Sequence, residues 1–205
     1  MNAAILRELM RNPPPTLGLI GTASGGLGSL RTRLVEPLIT EGWRVAITLT
    51  PTAGTWLRAS GELDRLEQLT GLPVRVHPRL PGEARPHPRV DGYAVVPASA
   101  NTVAKLALGI ADNQALTCVG EALGILGLPV VIFPSVNAAH ARHPAWGAHI
   151  DALRRAGAEL IYGDDVWPLH EPRSAPGREL PWQVILNRIK AVVNPSFRDV
   201  MSKDH

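Results

Sequence analysis

The stretch Pro97-Ala98-Ser99-Ala100-Asn101-Thr102 lies between an apolar run, 93–96, and a segment of helical periodicity, 103–113. The run predicts a buried strand and the segment predicts a helix, so the chain turns at the carboxyl end of a strand. In open α/β sheets, ligands bind at this end. Small side chains let a flat ring approach the backbone, while the serine, asparagine and threonine offer hydrogen bonds. The turn therefore predicts a site for a planar heterocycle.

Strands and helices alternate along the rest of the chain. This order predicts a three-layer, Rossmann-like (flavodoxin-like) α/β fold, in which a parallel sheet is flanked by helices. Strands are expected at 16–21, 44–50, 74–77, 93–96, 129–133 and 159–162, and helices at 25–42, 52–57, 62–69, 103–113, 115–126, 145–156 and 182–193. Proline-rich segments at 78–89 and 169–181 predict loops. We expect one domain over 1–205, with a core at 16–165 and a C-terminal loop and helix at 166–205.

The composition is that of a soluble globular protein, with 205 residues, 45% of them hydrophobic, and a net charge of +3. No apolar run reaches the ~18 residues that a membrane span needs, and 1–12 is expected to be an amphipathic segment rather than a signal peptide. The single cysteine, Cys118, excludes an intramolecular disulfide and indicates a cytoplasmic protein. The charge forms no basic stripe, so neither nucleic acid nor membrane is expected as a partner.

A glycine-rich turn, 21–29, follows the first predicted strand. Helix N-termini bind phosphate through free N–H groups, and the hydroxyls of Thr22, Ser24 and Ser29 would add donors. The turn lacks both the Gly-x-Gly-x-x-Gly spacing of dinucleotide sites and the Gly-Lys-Ser/Thr of triphosphate-binding loops. It is therefore either a phosphate site of another kind or an ordinary turn between strand and helix.

Two further turns carry hydrogen-bonding residues at the ends of predicted strands. In Thr50-Pro51-Thr52-Ala53, the threonines either cap the next helix or face a ligand. The stretch Pro134-Ser135-Val136-Asn137-Ala138-Ala139-His140 follows the strand predicted at 129–133.

The turns at 21–29, 50–53, 97–102 and 134–140 resemble, in order, those of the homo-oligomeric flavin-containing cysteine decarboxylases. That family includes phosphopantothenoylcysteine decarboxylases and peptidyl-cysteine decarboxylases, and the resemblance covers roughly 16–165. It implies FMN as the cofactor, and a homotrimer, or a multiple such as a dodecamer, with flavin at a subunit boundary. The cofactor-binding residues that it implies are Gly21, Thr22, Ala23, Ser24, Thr50, Thr52, Ala98, Ser99, Ala100, Asn101 and Thr102.

The resemblance also implies catalytic residues. Asn137 falls on the asparagine that binds the substrate carboxylate in the family. His140 stands where the family has a methionine, and it is either an exposed loop histidine or an acid–base group. The family's catalytic histidine would fall on Glu83, so either the loop has shifted and His87 takes the role, or the base is missing.

The function implied is an FMN-dependent oxidative decarboxylase of a cysteine-derived carboxylate, in a peptide or small-molecule substrate. The alternative is a flavin-binding subunit, regulator or carrier without decarboxylase activity, which the altered histidine and methionine positions favour. Substrate specificity would come from the loops at 78–90 and 164–181.

Overall fold

The computed structural model of the protein describes residues 15–194, so the expectation for 1–12 lies outside the described residues. Its strands are β1 (Thr16–Gly21), β2 (Arg44–Leu49), β3 (Gly92–Ala98), β4 (Val130–Pro134) and β5 (Glu159–Leu160). Its α-helices are α1 (Glu36–Thr40), α2 (Pro51–Ala59), α3 (Glu62–Thr70), α4 (Ala100–Ala107), α5 (Gln114–Gly124), α6 (Ala138–Ala141), α7 (Trp146–Arg155) and α8 (Trp182–Val193). No helix of this described part is long and apolar enough to cross a membrane.

The five strands form one parallel sheet in the order β2-β1-β3-β4-β5. This is the doubly wound, flavodoxin-like strand order, and the predicted fold is confirmed. The chain first moves outward from β1 to β2 and then continues on the other side of β1 with β3. The order therefore reverses between β1 and β3, and the carboxyl ends of these two strands leave a crevice between the turns that follow them.

Successive residues of the strands alternate between two apolar cores, because side chains point to opposite faces of a sheet. Leu19 and Phe133 face a core completed by the helical segment 27–40 and by α2, α3 and α8. Ile20 and Ile132 face a second core completed by α4, α5 and α7. Helices thus cover both faces and leave the carboxyl ends of the strands accessible to a ligand.

Several sequence predictions of local structure were wrong in detail. The helix expected at 103–113 spans Ala100–Ala107. The helix expected at 25–42 consists of a 3₁₀ turn (Leu27–Ser29), a π-helical stretch (Arg31–Val35) and α1. The strand expected at 74–77 is a single bridge between Thr48 and Arg75. Pro73 and Pro78 flank that bridge, and proline lacks the N–H that a longer ladder needs.

Candidate functional site

A cavity of about 870 Å³ lies at the carboxyl ends of β1 to β4. The turns after these strands form one wall, and the loop 164–181 forms the other. The cavity brings together ten of the residues predicted from sequence: Ala23, Ser24, Thr50, Thr52, Ser99, Ala100, Asn101, Thr102, Asn137 and His140. Segments spread over more than a hundred positions of sequence therefore share one site.

Three predicted cofactor-binding residues lie behind the cavity wall. Ala98 is fully buried in the core. At Gly21 a Cβ atom would lie 2.6 Å from Leu49 Cδ2, so close packing explains the glycine. Thr22 is 1% exposed, and its side chain supports the turns from inside.

Thr22 joins the turn after β1 to the turn after β3. Its Oγ1 donates to the carbonyl oxygen of Pro97 at 2.8 Å and accepts from the N–H of Ser99 at 2.8 Å. The hydroxyl proton is therefore already used, and the expectation that this hydroxyl donates to a phosphate is corrected. Thr22 instead fixes the distance between two walls of the cavity.

The turn after β1 is also tied to the turn after β4. Ser24 Oγ donates to the carbonyl of Ser135 at 2.9 Å, and Ser135 Oγ donates to the carbonyl of Gly25 at 3.0 Å. Within residues 15–194, the backbone N–H groups of Ser24, Gly25 and Gly26 donate to no other group. The hydroxyls of Thr22 and Ser24 are engaged, and Ser29 does not line the cavity, so the donors that this turn offers an anion there are the backbone N–H groups.

Gly26 is required at this turn for two reasons. Its φ of 90° lies in the left-handed region, which residues with a side chain rarely adopt. A Cβ atom there would also lie 2.3 Å from Leu180 Cδ1, in the loop that closes the other wall. The glycine thus lets the loop pack directly on the turn.

Thr50 occupies the N-cap position of α2, but its side chain makes no capping hydrogen bond. Helix capping was one of the two roles expected for this threonine, and its side chain does not have that role. The hydroxyl lines the cavity. It remains available to a ligand.

The turn after β3 enters α4 through a capping serine. Ser99 Oγ accepts from the N–H of Thr102 at 3.2 Å and lies 3.0 Å from its Oγ1. Asn101 is exposed on the cavity side, and its amide has no partner among the residues that the structure describes. Asn101 can therefore hydrogen-bond to a ring placed over this turn.

Asn137 caps the short helix α6, where its Oδ1 accepts from the N–H of His140 at 3.0 Å. The amide oxygen is thus fixed by the backbone. The amide NH₂ has no partner within the described range, and the side chain lines the cavity. Asn137 therefore presents a donor of fixed direction, which suits a carboxylate.

The two candidate histidines lie in different places. His140 is exposed and lines the cavity beside Asn137. His87 lines a second cavity of about 560 Å³, where its Nε2 lies 2.7 Å from the carbonyl oxygen of Pro73. Burial lowers the pKa of His87, against the opposing effect of that hydrogen bond. Within one chain, His87 therefore does not lie in the same cavity as Asn137 and His140, the other predicted catalytic residues.

The loop 164–181 was expected from sequence to determine substrate specificity, but none of its individual residues was identified. Trp167 packs edge-on against Phe133, with ring centroids 5.5 Å apart, and Arg178 lies 4.2 Å above the Trp167 ring. Both side chains line the cavity. The only sequence signal was an aromatic and a basic residue in a proline-rich segment, which does not distinguish a cavity wall from an exposed loop.

The sequence matches the family described as Flavoprotein over residues 7–194. The chain belongs to this family. The same resemblance was inferred from the turns, and it is confirmed.

Named relatives of this flavoprotein include decarboxylases. A cysteine/cysteine sulfinic acid decarboxylase from an unidentified prokaryote is 38% identical over 71 residues, which make up 35% of the chain and 19% of that relative. The match thus spans about a fifth of that curated protein's length. The crystal structure of the FMN-dependent cysteine decarboxylase TvaF from thioviridamide biosynthesis is similar, with a TM-score of 0.59 and 26% identity over 75% of this chain and 93% of TvaF. MrsD from Bacillus sp. HIL-Y85/54728, at 19% identity, shares the fold with a TM-score of 0.63 over 88% of this chain and 97% of MrsD.

Proposed function

We propose that this flavoprotein is an FMN-dependent oxidative decarboxylase of a cysteine-derived carboxylate, in a peptide or a small molecule. The observation that carries the proposal is Asn137, whose amide NH₂ is directed by the backbone and lines the cavity. A titratable side chain, His140, lies one helical turn away on the same wall. The named decarboxylases among its relatives support the same activity.

The residues of the cavity fit an FMN. Free N–H groups of Ser24, Gly25 and Gly26 suit a phosphate, because helix-proximal turns with unpaired donors bind anions. Small residues at Ala23 and Ala100 leave room for a flat ring at the β1–β3 crevice. When bound, FMN would supply the two-electron acceptor that oxidation of the substrate requires.

The substrate chemistry follows from the position of its thiol. Oxidation of the carbon–sulfur bond of a C-terminal cysteine gives a thioaldehyde, with loss of two electrons and two protons. The thiocarbonyl then accepts the electron pair left by departing carbon dioxide, and an enethiol remains after protonation. The protein must therefore supply one group that binds the carboxylate and another that transfers a proton.

Asn137 and His140 can supply these two groups. The Asn137 amide can donate a hydrogen bond to the carboxylate. Because the amide is neutral, it does not stabilise the carboxylate charge strongly enough to oppose the departure of neutral carbon dioxide. The His140 imidazole can accept a proton and return it during the reaction. The loop 164–181 forms the opposite wall of the cavity.

The alternative is a flavin-binding subunit, regulator or carrier without this activity. This alternative is favoured by one observation: His87 does not line the cavity within a single chain. The decarboxylases among the relatives do not favour it. The two functions differ in turnover and not in flavin content.

The test uses the full chain with FMN and two substrates, a peptide ending in cysteine and phosphopantothenoylcysteine. Mass spectrometry should detect the loss of carbon dioxide and two hydrogens from at least one of them. The same peptide ending in serine is the matched control, since it keeps the carboxylate but lacks the thiol. Flavin absorbance without product from any cysteine carboxylate would favour the alternative.

We also propose that the protein is a homotrimer or a multiple of one. Trp56, on α2, lines the cavity and is 52% exposed in the single chain. A large exposed aromatic side chain beside a ligand cavity is suited to cover by a second copy.

A further inference from the structure

Arg178 is held in a fixed position on the wall formed by the loop 164–181. Its guanidinium lies 4.2 Å above the Trp167 ring, and its Nη1 donates to the carbonyl oxygen of Pro168 at 2.6 Å. Trp167 is itself fixed by its edge-on contact with Phe133. The remaining N–H groups of the guanidinium have no partner in residues 15–194, and the side chain lines the cavity. Arg178 thus carries a positive charge and N–H donors that are held in place before a ligand binds.

Arg178 belongs to the end of the loop that lies on the turn after β1. Leu180, two residues further on, packs so closely on Gly26 that any Cβ there would collide with it. Glu179 pairs with Arg33, in the helical segment that follows the same turn, at 2.5 Å. The chain on the C-terminal side of Arg178 is therefore anchored to the turn whose free N–H groups suit a phosphate.

The turn alone carries no full positive charge for a phosphate. The hydroxyl protons of Thr22 and Ser24 already bond to carbonyl oxygens. Lys105, which also lines the cavity, is paired with Asp112. Arg178 lines the same cavity without a carboxylate partner among the described residues, so its charge is available.

We propose that Arg178 binds the phosphate group of the flavin cofactor, together with the backbone N–H groups of 24–26. The inference rests on the proposed function, because it takes FMN as the ligand. A guanidinium forms two parallel hydrogen bonds with phosphate, and the Trp167 ring holds its plane in advance. Arg178 is then the residue that makes the site selective for FMN over riboflavin, which has the same ring system and no phosphate.

The experiment measures the dissociation constants of FMN and of riboflavin by quenching of flavin fluorescence, using the full chain purified without added flavin. Arg178→Ala should weaken FMN binding about 10- to 100-fold, as expected for loss of a hydrogen bond between charged groups. It should change riboflavin binding less than about threefold. Arg178→Lys keeps the charge but not the planar fork, so it should lie between the parent and the alanine variant.

Arg173→Ala is the matched control, since Arg173 lines the same cavity, is exposed and has no ion pair in the described part of the chain. It removes the same charge and should weaken FMN binding less than about threefold. The proposal is overturned if Arg178→Ala weakens FMN and riboflavin by the same factor, or if the two arginine variants are equivalent. It is also overturned if FMN binding is unchanged while the KM of a cysteine substrate rises, because Arg178 then binds a substrate anion. Failure of the parent protein to bind either flavin would instead contradict the proposed function.

Discussion

Ser99 donates its backbone N–H to Thr22 Oγ1 at 2.8 Å, across 77 positions of sequence. The same Thr22 hydroxyl donates to the carbonyl of Pro97, so one side chain satisfies two backbone groups of the turn after β3. The two turns flank the point at which the strand order of the sheet reverses. One buried hydroxyl therefore ties together the two turns beside the crevice.

Replacement of that hydroxyl should both destabilise the fold and weaken flavin binding. In Thr22→Val the shape is kept, but the carbonyl of Pro97 and the N–H of Ser99 lose their partner in a buried place. We expect the free energy of unfolding to fall by about 1–3 kcal/mol, measured by urea denaturation. Thr22→Ser keeps the hydroxyl and is the control, so an equal loss in both variants would contradict the explanation.

The role of Asn137 can be tested without disturbing its helix. In Asn137→Asp, a carboxylate oxygen can still accept from the N–H of His140, since aspartate is as good an N-cap as asparagine. The NH₂ donor is replaced by a negative charge, which would repel a substrate carboxylate. We expect turnover of the cysteine substrate to fall at least about a hundredfold, with FMN content unchanged. Equal turnover in variant and parent would rule out a carboxylate contact.

His140 and His87 provide a matched pair of substitutions. His140→Asn should lower turnover at least about tenfold at constant flavin content, because an acid–base group contributes roughly 10²- to 10⁴-fold. His87→Asn makes the same substitution at a histidine that lies outside the cavity of its own chain. We expect turnover to fall less in this variant than in His140→Asn. A larger loss at His87 would reverse this order, and catalysis would then use the 78–90 loop of a neighbouring protomer.

The oligomeric state has a direct test. Light scattering of the FMN-bound protein at micromolar concentration should give three times the chain mass of 22.0 kDa, or a multiple of that value. A flavin-bound monomer would contradict the proposed trimer. The Trp56→Glu variant should lower the assembled fraction, because it places a charge where we expect a second copy to cover the ring.

The sequence predicted the elements that have clear local boundaries. Strand β1 has the predicted bounds, because prolines precede it and the glycine-rich turn ends it. Helix α8 also has the predicted bounds, since it begins directly after Pro181. The parallel sheet flanked by helices followed from the alternation of strands and helices and was confirmed, whereas the order of its strands is known from the structure.

Ten of the residues predicted from sequence line one cavity, but their hydrogen-bond network could not be predicted. Thr22 and Ser24 were correctly placed on the turn after β1, yet the partners of their hydroxyls come from Pro97 and Ser135. Such partners depend on how distant turns meet. Arg178 was missed for the same reason, since only the packing of its loop on Gly26 brings it to the cavity.

The packing of Leu180 on Gly26 has a consequence for biosynthesis. One contact partner lies near the start of the described chain, and the other lies just before its last helix. Domains fold during synthesis as their segments leave the ribosome, so the turn is made long before the loop that covers it. The nascent chain can form its first strands early, but it has no closed wall to retain a ligand. We therefore expect a flavin to be loaded late, after the segment carrying Leu180 has been released from the ribosome.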